Sequence, residues 1–425
     1  MLLSFEVSNF RSFRDRAQLS LEAVSAYKER SSNHVSTPRH ELLKAAAIYG
    51  PNAGGKTNLV RAAEEALTII NTSAVLPENI PLPLVPFLLD TATEQAPSRF
   101  EFVLVKDTLQ YRYGFEADSQ EIHSEWLFVT DYSKKKAHEH PVFLREKGSI
   151  DVRGDIADAD ALVSRTSAKA LFLSVASQWN DPLAKTLTKE FSDIRVLSGL
   201  HDLQYQSFSA QRSEKILNLC QKADFGIENI RIERNEVEPK HLRMAQLARI
   251  MVGLFPNAPK LNWIEEKIFL VHKKYSDGKP VGTVPFDLET DASEGTRKLF
   301  RVMGPVLDAL DLGCVVFVDE LEAKLHPLLT RAIVQLFLSE KTNPKNAQLV
   351  FCTHDTNLLT HADLRRDQVW FIEKDEQGAS HLYPLSDFKG LRQDTPIERD
   401  YINGRFGAIP FLGGCVALEQ IGNTN

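Results

Sequence analysis

One run limits what this chain can fold into more than any other: Gly50-Pro51-Asn52-Ala53-Gly54-Gly55-Lys56-Thr57, a complete G-x-x-x-x-G-K-[ST] pattern. Its weight comes from its flanks. Before it, residues 45–49 form a short apolar run that reads as a buried strand. After it, Leu59, Ala62, Ala63, Ala66, Leu67 and Ile70 recur at helical spacing. Strand, glycine-bearing loop and helix in that order form a phosphate cradle. Backbone N–H groups turn inward around phosphate oxygens, and the helix N-terminus adds partial positive charge. In that arrangement Asn52, Ala53, Gly54, Gly55 and Asn58 line a nucleotide, Lys56 reaches the β- and γ-phosphates, and the Thr57 hydroxyl binds Mg²⁺. ATP with Mg²⁺ is the expected ligand.

A second signal lies far downstream. Val315-Val316-Phe317-Val318 is a purely apolar strand, and Asp319-Glu320 follows it. Adjacent carboxylates at a strand end repel each other, and a bound cation gives them a reason to be there. Asp319 is therefore the expected Mg²⁺ partner and Glu320 the general base for a water. Between the two signals, Ser293-Glu294-Gly295 precedes a helical pattern. Alone it reads as a helix cap, but its place ahead of the acidic strand also suits an anion contact at a helix N-terminus. After the acidic pair come Leu325-His326-Pro327 and then Thr353-His354-Asp355 beyond another apolar strand. His354 falls where it could contact both the γ-phosphate and the attacking water.

The rest of the chain frames these sites. Leu3, Phe5 and Val7 alternate with polar residues, 17–21 can pair with them, and 99–105 with 109–115 make a second hairpin that 122–129 extends. Prolines at 77, 81, 83 and 86 exclude regular helix there. Residues from about 155 to 255 lack strand patterning and read as mainly helical. Strands are expected again at 268–275, 282–287, 349–352 and 369–373, with an edge strand at 380–385. The division is 1–141 for a first lobe with the phosphate loop, 142–262 for a mainly helical insertion, and 263–425 for a second lobe.

At 425 residues with net charge -7, the composition is that of a folded chain without a generally basic surface. A local nucleic-acid track stays open. Four scattered cysteines suggest neither a disulfide framework nor a zinc site. No apolar run reaches ~18 residues, and Glu6 and Asn9 interrupt any leader, so a cytoplasmic location without membrane contact is expected.

With Asn9-Phe10-Arg11-Ser12-Phe13, the 50–57 loop, Ser293-Glu294-Gly295, Asp319-Glu320, Leu325-His326-Pro327 and Thr353-His354 in view, the sequence resembles ABC-type ATPase heads of the SMC and RecF kind. It resembles more closely the AAA-type ATPases of bacterial anti-phage defence islands, such as RloA and the ATPase of PARIS systems. Residues 367–374, 385–388 and Gly404-Arg405-Phe406-Gly407-Ala408 look especially like the RloA type.

The resemblance implies an α/β P-loop NTPase of the ABC-type head class, a mixed central sheet with an antiparallel N-terminal β lobe, plus the insertion. It implies an ATP-driven head-to-head dimer or higher homo-oligomer, with Ser293 and Gly295 addressing the γ-phosphate held by the opposing copy. Arg11 could contact nucleotide phosphate or ribose. A separate effector protein, often a nuclease, is the implied partner.

The chain departs from the pattern in having Ala53 where SMC-type loops have glycine, and in lacking a heptad arm and an assignable Mg²⁺-contacting glutamine. The alternatives are a RecF/SMC-like repair ATPase acting on DNA and a nucleotide-binding scaffold with negligible turnover. A built-in nuclease of the OLD type is disfavoured because no Asp-x-Asp pair follows Glu373.

Overall fold

The computed structural model describes residues 1–197, 210–222, 226–237, 263–393 and 395–410. They fall into two compact units, Met1–Leu200 with Asp308–Asn425, and His201–Leu307.

The first unit is built on two sheets. One is antiparallel and seven-stranded, in the order Ser149–Val152, Glu139–Glu146, Ile122–Asp131, Leu109–Ala117, Ser98–Lys106, Leu2–Ser8, Ala17–Ser20. The alternation in residues 2–8 and 99–115 forms here as expected, because each such strand has one face to bury. The other sheet runs Arg195–Leu197, Val315–Val318, Gln348–Cys352, Ala45–Tyr49, Val369–Lys374, Ser380–Pro384. Its first five strands are parallel and the last pairs antiparallel at the edge. Val315–Val318, Gln348–Cys352 and Ala45–Tyr49 are buried at every position, which explains their near-continuous apolar sequences.

The helix Lys56–Thr72 leaves the strand Ala45–Tyr49 through the glycine loop. Its residues Leu59, Val60, Ala62, Ala63, Ala66, Leu67, Ile69 and Ile70 share one apolar core with Phe5 and Phe102 of the antiparallel sheet and Phe317 and Val350 of the parallel one. Each fully buried Leu, Ile or Phe contributes about 1.5–3 kcal/mol, so this shared core fixes the helix against both sheets.

A buried amide joins the sheets directly. Leu2 N–H donates to Gln348 Oε1 at 2.6 Å, and Gln348 Nε2 donates to Leu2 O and Leu43 O at 2.9 Å each.

The second unit contains the helix Ala210–Lys222, an antiparallel sheet centred on Trp263–Ser276 with Ile227–Val237 and Lys279–Asp287 on its flanks, and the start of the helix Glu294–Leu312.

The observed layout departs from the sequence division at 142–262. Residues 139–152 contribute two strands to the large antiparallel sheet, and 142–197 belong to the first unit. The strand Ile227–Val237 was expected as helix. A register shift between Ile227 and Asn229 breaks its alternation, and the charged residues Arg231, Glu233, Arg234 and Glu236 interrupt the apolar ones beyond it. The first part of the stretch expected to be mainly helical does form helices, Ala159–Arg165 and Phe172–Gln178. The helical expectation for 238–255 lies outside the described residues. Among the described residues no helix is long and apolar enough to cross a membrane.

Replacing Gln348 with Leu keeps the volume but strips partners from Leu2 and Leu43. The expected cost is about 2–3 kcal/mol of stability, read as a lower urea midpoint for the full chain; an unchanged midpoint would show that the amide bridge is dispensable.

Candidate nucleotide site

Parallel register brings the separated motifs to one sheet edge. Val318 pairs with Phe351, and Cys352 pairs with Ile48. The residues that follow, Asp319, Thr353-His354 and Gly50, therefore leave adjacent strands at the same end. Ligands of open α/β sheets bind at this carboxyl end.

The loop is shaped by what lies behind it. A Cβ on Gly50 would sit 2.2 Å from Ile372 O, and one on Gly55 would sit 2.3 Å from Ser380 Oγ, where φ is also +121°. Only glycine lets the strand Val369–Lys374 and Ser380 approach so closely. Ser380 Oγ lies 2.8 Å from both Gly54 O and Ser12 Oγ, and Asn58 Nδ2 donates to Ser12 Oγ at 2.8 Å. Asn58 thus faces the turn after the first strand. Asn52 and Ala53 are exposed at the tip, with Ala53 at φ +61°.

Lys56 is buried, and its ammonium donates to Gly50 O at 2.8 Å and Pro51 O at 3.0 Å. These carbonyls occupy the donors that phosphate oxygens would take. Burial lowers the Lys56 pKa, and the charges of Asp319, Glu322 and Glu320 act against that shift.

Asp319 is buried and its pKa is raised, first by burial and further by the like charge of Glu320. The Thr57 hydroxyl, bonded to Asp319, and the Lys56 charge pull the other way. Asp319 Oδ1 has no hydrogen-bond partner. A carboxylate with an orphaned oxygen beside a threonine hydroxyl fits a hard cation that takes its remaining ligands from water and phosphate.

Glu320 is exposed at φ +48°, an uncommon conformation for a non-glycine residue, which turns its side chain out of the strand direction. His354 is also solvent-reachable. Its pKa is lowered, chiefly by desolvation and then by the Lys56 charge, so the neutral imidazole is favoured.

Sequence reasoning missed Glu322. Its Oε1 accepts the His354 N–H at 2.7 Å, while its Oε2 is buried and unpartnered. The signal was present as a third carboxylate two positions beyond Glu320. Cys352, at the end of its apolar strand, is buried with Sγ 3.6 Å from Lys56 O.

Arg11 is not brought to the loop. Its guanidinium pairs with Glu65 Oε1 at 2.7 Å. Glu65 stands nine residues beyond Lys56 on the same helix, about 14 Å along the axis. Ser293 and Gly295 belong to the second unit. There the Ser293 hydroxyl accepts the Thr296 N–H at 3.2 Å, so it caps its helix. His326 likewise caps Pro327–Leu338 through Nδ1.

A strand–loop–helix cradle, a lysine, and a carboxylate–threonine pair at the carboxyl edge of a parallel sheet define a P-loop nucleotide-binding protein. The chain belongs to the family described as "AAA domain, putative AbiEii toxin, Type IV TA system", whose profile matches residues 45–360. No curated protein matches the sequence. Among solved structures it is similar to the SMC head domain from Thermotoga maritima, with 13% identity and a TM-score of 0.35, covering 90% of this chain and 98% of that one. It is also similar to the recombination mediator protein RecF–ATP of the RecFOR pathway, with 11% identity and a TM-score of 0.33, covering 90% and 97%.

The raised pKa of Asp319 has a consequence for stability. A carboxyl whose native value exceeds its unfolded one contributes stability only while protonated, and that contribution disappears as pH rises through the native value. At pH 7.5 Asp319→Asn should therefore raise the melting temperature of the nucleotide-free protein. The gain should shrink toward pH 4, and the stabilisation that Mg²⁺–ATP gives the wild type should vanish. A variant less stable than wild type at pH 7.5 would contradict this reading of the site.

Proposed function

We propose that this protein is an ATPase that binds ATP with Mg²⁺ at the sheet edge and hydrolyses it between two copies of the chain, as a switch in an anti-phage defence complex. The convergence of Lys56, Thr57, Asp319, Glu320 and His354 on one edge, from chain positions more than two hundred residues apart, carries the reading.

The chain's own groups supply the following chemistry. Lys56 exchanges the carbonyls of Gly50 and Pro51 for the β- and γ-phosphates, so its charge is met without new burial. Thr57 and Asp319 would hold Mg²⁺, which when bound neutralises phosphate charge as it develops. Glu320, free to face solvent, accepts a proton from the attacking water. His354 in its neutral form donates one ring N–H toward the γ-phosphate and remains uncharged beside Lys56. Asn52, Ala53, Gly54 and Gly55 present backbone amides to the phosphates. Asn58 and Arg11 act behind the loop, one through Ser12 and the other through Glu65.

In the paired state Ser293 and Gly295 of one copy would address the γ-phosphate of the other, using the helix N-terminus that Ser293 already caps. The family's toxin–antitoxin description supports a defence role, and a separate effector, a nuclease, is the proposed partner in the cytoplasm. Kinship to RloA and PARIS-type ATPases is part of this proposal.

Glu320→Gln should bind Mg²⁺–ATP and stall before hydrolysis. Light scattering should then show the mass of a pair for that variant with Mg²⁺–ATP and a smaller mass without it, and no turnover in a phosphate-release assay. An unchanged mass with nucleotide bound would refute the paired-head reading. DNA that stimulates wild-type turnover would instead favour a repair ATPase.

A further inference from the structure

The C-terminal stretch through Ala408 has no part in the site as described so far, yet the structure ties it to the segment that carries His354. Residues 353–361 leave the strand Gln348–Cys352 and enter the short helix Asn357–His361. Several bonds hold this turn. Asp355 N–H donates to Thr353 Oγ1 at 3.0 Å, Tyr49 Oη donates to Asp355 O at 3.2 Å, and Asp355 Oδ1 accepts Asn357 N–H at 3.0 Å. One side chain spans both ends of the turn. Glu398 accepts the Thr356 hydroxyl on Oε1 at 3.0 Å and the Thr360 hydroxyl on Oε2 at 2.6 Å.

Glu398 is in turn fixed from behind. It lies in the helix Ile397–Ile402, whose Tyr401 ring is buried and stacks on Phe371 at 5.2 Å and meets Tyr49 edge-on at 5.7 Å. Tyr401 Oη donates to Ala408 O at 2.9 Å, and Ala408 N–H donates to Glu373 Oε2 at 2.6 Å. Tyr383 Oη lies 2.9 Å from both Glu373 Oε1 and Phe406 O. At Gly407 φ is +68°, and a Cβ would meet Tyr383 Oη at 2.7 Å. The Gly404-to-Ala408 run is thus a latch that seats the helix on Tyr49, the residue immediately before Gly50.

We infer that Glu398 is a positioning residue for His354: through Thr356 and Thr360 it fixes the turn that aims His354 and Asp355 at the sheet edge, and the 404–408 latch holds Glu398 in place. This rests on the ATPase reading for its catalytic consequence but not for its geometry. Carboxylate-to-hydroxyl bonds are charge-assisted and directional, so a two-point grip restrains both the position and the tilt of the turn. The phosphate loop has its own supports in Ser380 and Ile372 and does not depend on Glu398.

The test uses the full chain with Glu398→Ala, Glu398→Gln, His354→Ala and the double variant Glu398→Ala/His354→Ala. Glu398→Ala should leave the dissociation constant for Mg²⁺–ATP within about twofold while lowering kcat about tenfold or more. Glu398→Gln, which keeps one acceptor oxygen, should recover part of that loss. The double variant should be no slower than His354→Ala, because both changes act through one group. Hydrogen exchange gives a readout independent of turnover: in Glu398→Ala the amides of 353–361 should exchange faster, while those of 54–72 keep wild-type rates. Unchanged exchange over 353–361, or multiplicative losses in the double variant, would overturn the inference. A wild type without ATPase activity but with the expected exchange pattern would instead remove the ATPase reading and leave the positioning contact standing.

Discussion

Everything at the candidate site depends on the register of adjacent parallel strands. Because Val318 lies opposite Phe351 and Cys352 opposite Ile48, the chain turns out of the sheet at Gly50, Asp319 and Thr353 side by side. A shift of one residue in any of these strands would send its buried side chains to the opposite face. All three strands are buried at every position, so their register is set by how the side chains pack on each covered face. A lysine and several carboxylates then share a small volume. Burial opposes the charge on Lys56 and on Asp319 alike, and each partly offsets the other's penalty. Such a cluster is poorly satisfied by the protein alone, as the unpartnered oxygens of Asp319 and Glu322 show. A triphosphate with its cation would supply the complementary charges.

Two residues at the same edge carry left-handed backbone, as do residues elsewhere in the chain such as Arg30 and Asp158. Ala53 and Glu320 both adopt positive φ, and Gly50 and Gly55 are packed against backbone and serine too tightly for any side chain. Left-handed backbone at a non-glycine residue costs about 1–2 kcal/mol, so the surrounding sheet must hold these residues in place. The substitution of Ala53 for glycine in the loop is tolerated because the position is exposed, with room for a methyl group. The strain is therefore conformational only.

Much of this could be read from residues alone, and the reasons differ by element. The phosphate loop, the acidic pair and the apolar strands were legible because each is a local pattern with a local cause. The sheet order was not, since nothing within residues 315–318 or 348–352 says which strand lies between the loop and the acidic pair. Strands 139–146 and 227–237 escaped because Pro141, charged residues and register shifts interrupt their alternation. Arg11 looked like a nucleotide contact, yet its partner Glu65 is visible only once the helix is folded beside it. Glu322 and Glu398 were invisible as site residues for a related reason. Glu322 accepts the His354 N–H, and Glu398 accepts the Thr356 and Thr360 hydroxyls, bonds to residues far away in sequence. Ser293 is a helix cap on direct observation, and its proposed role belongs to the assembled state.

The central claim is that Thr57 and Asp319 hold one cation on the nucleotide that Lys56 grips. Electron paramagnetic resonance with Mn²⁺ in place of Mg²⁺ addresses it most directly. Titrating Mn²⁺ into the protein with ATP should reveal one tight site per chain with phosphorus hyperfine coupling, lost in both Thr57→Ala and Asp319→Asn. A site of unchanged affinity and unchanged phosphorus coupling in both variants would contradict the account.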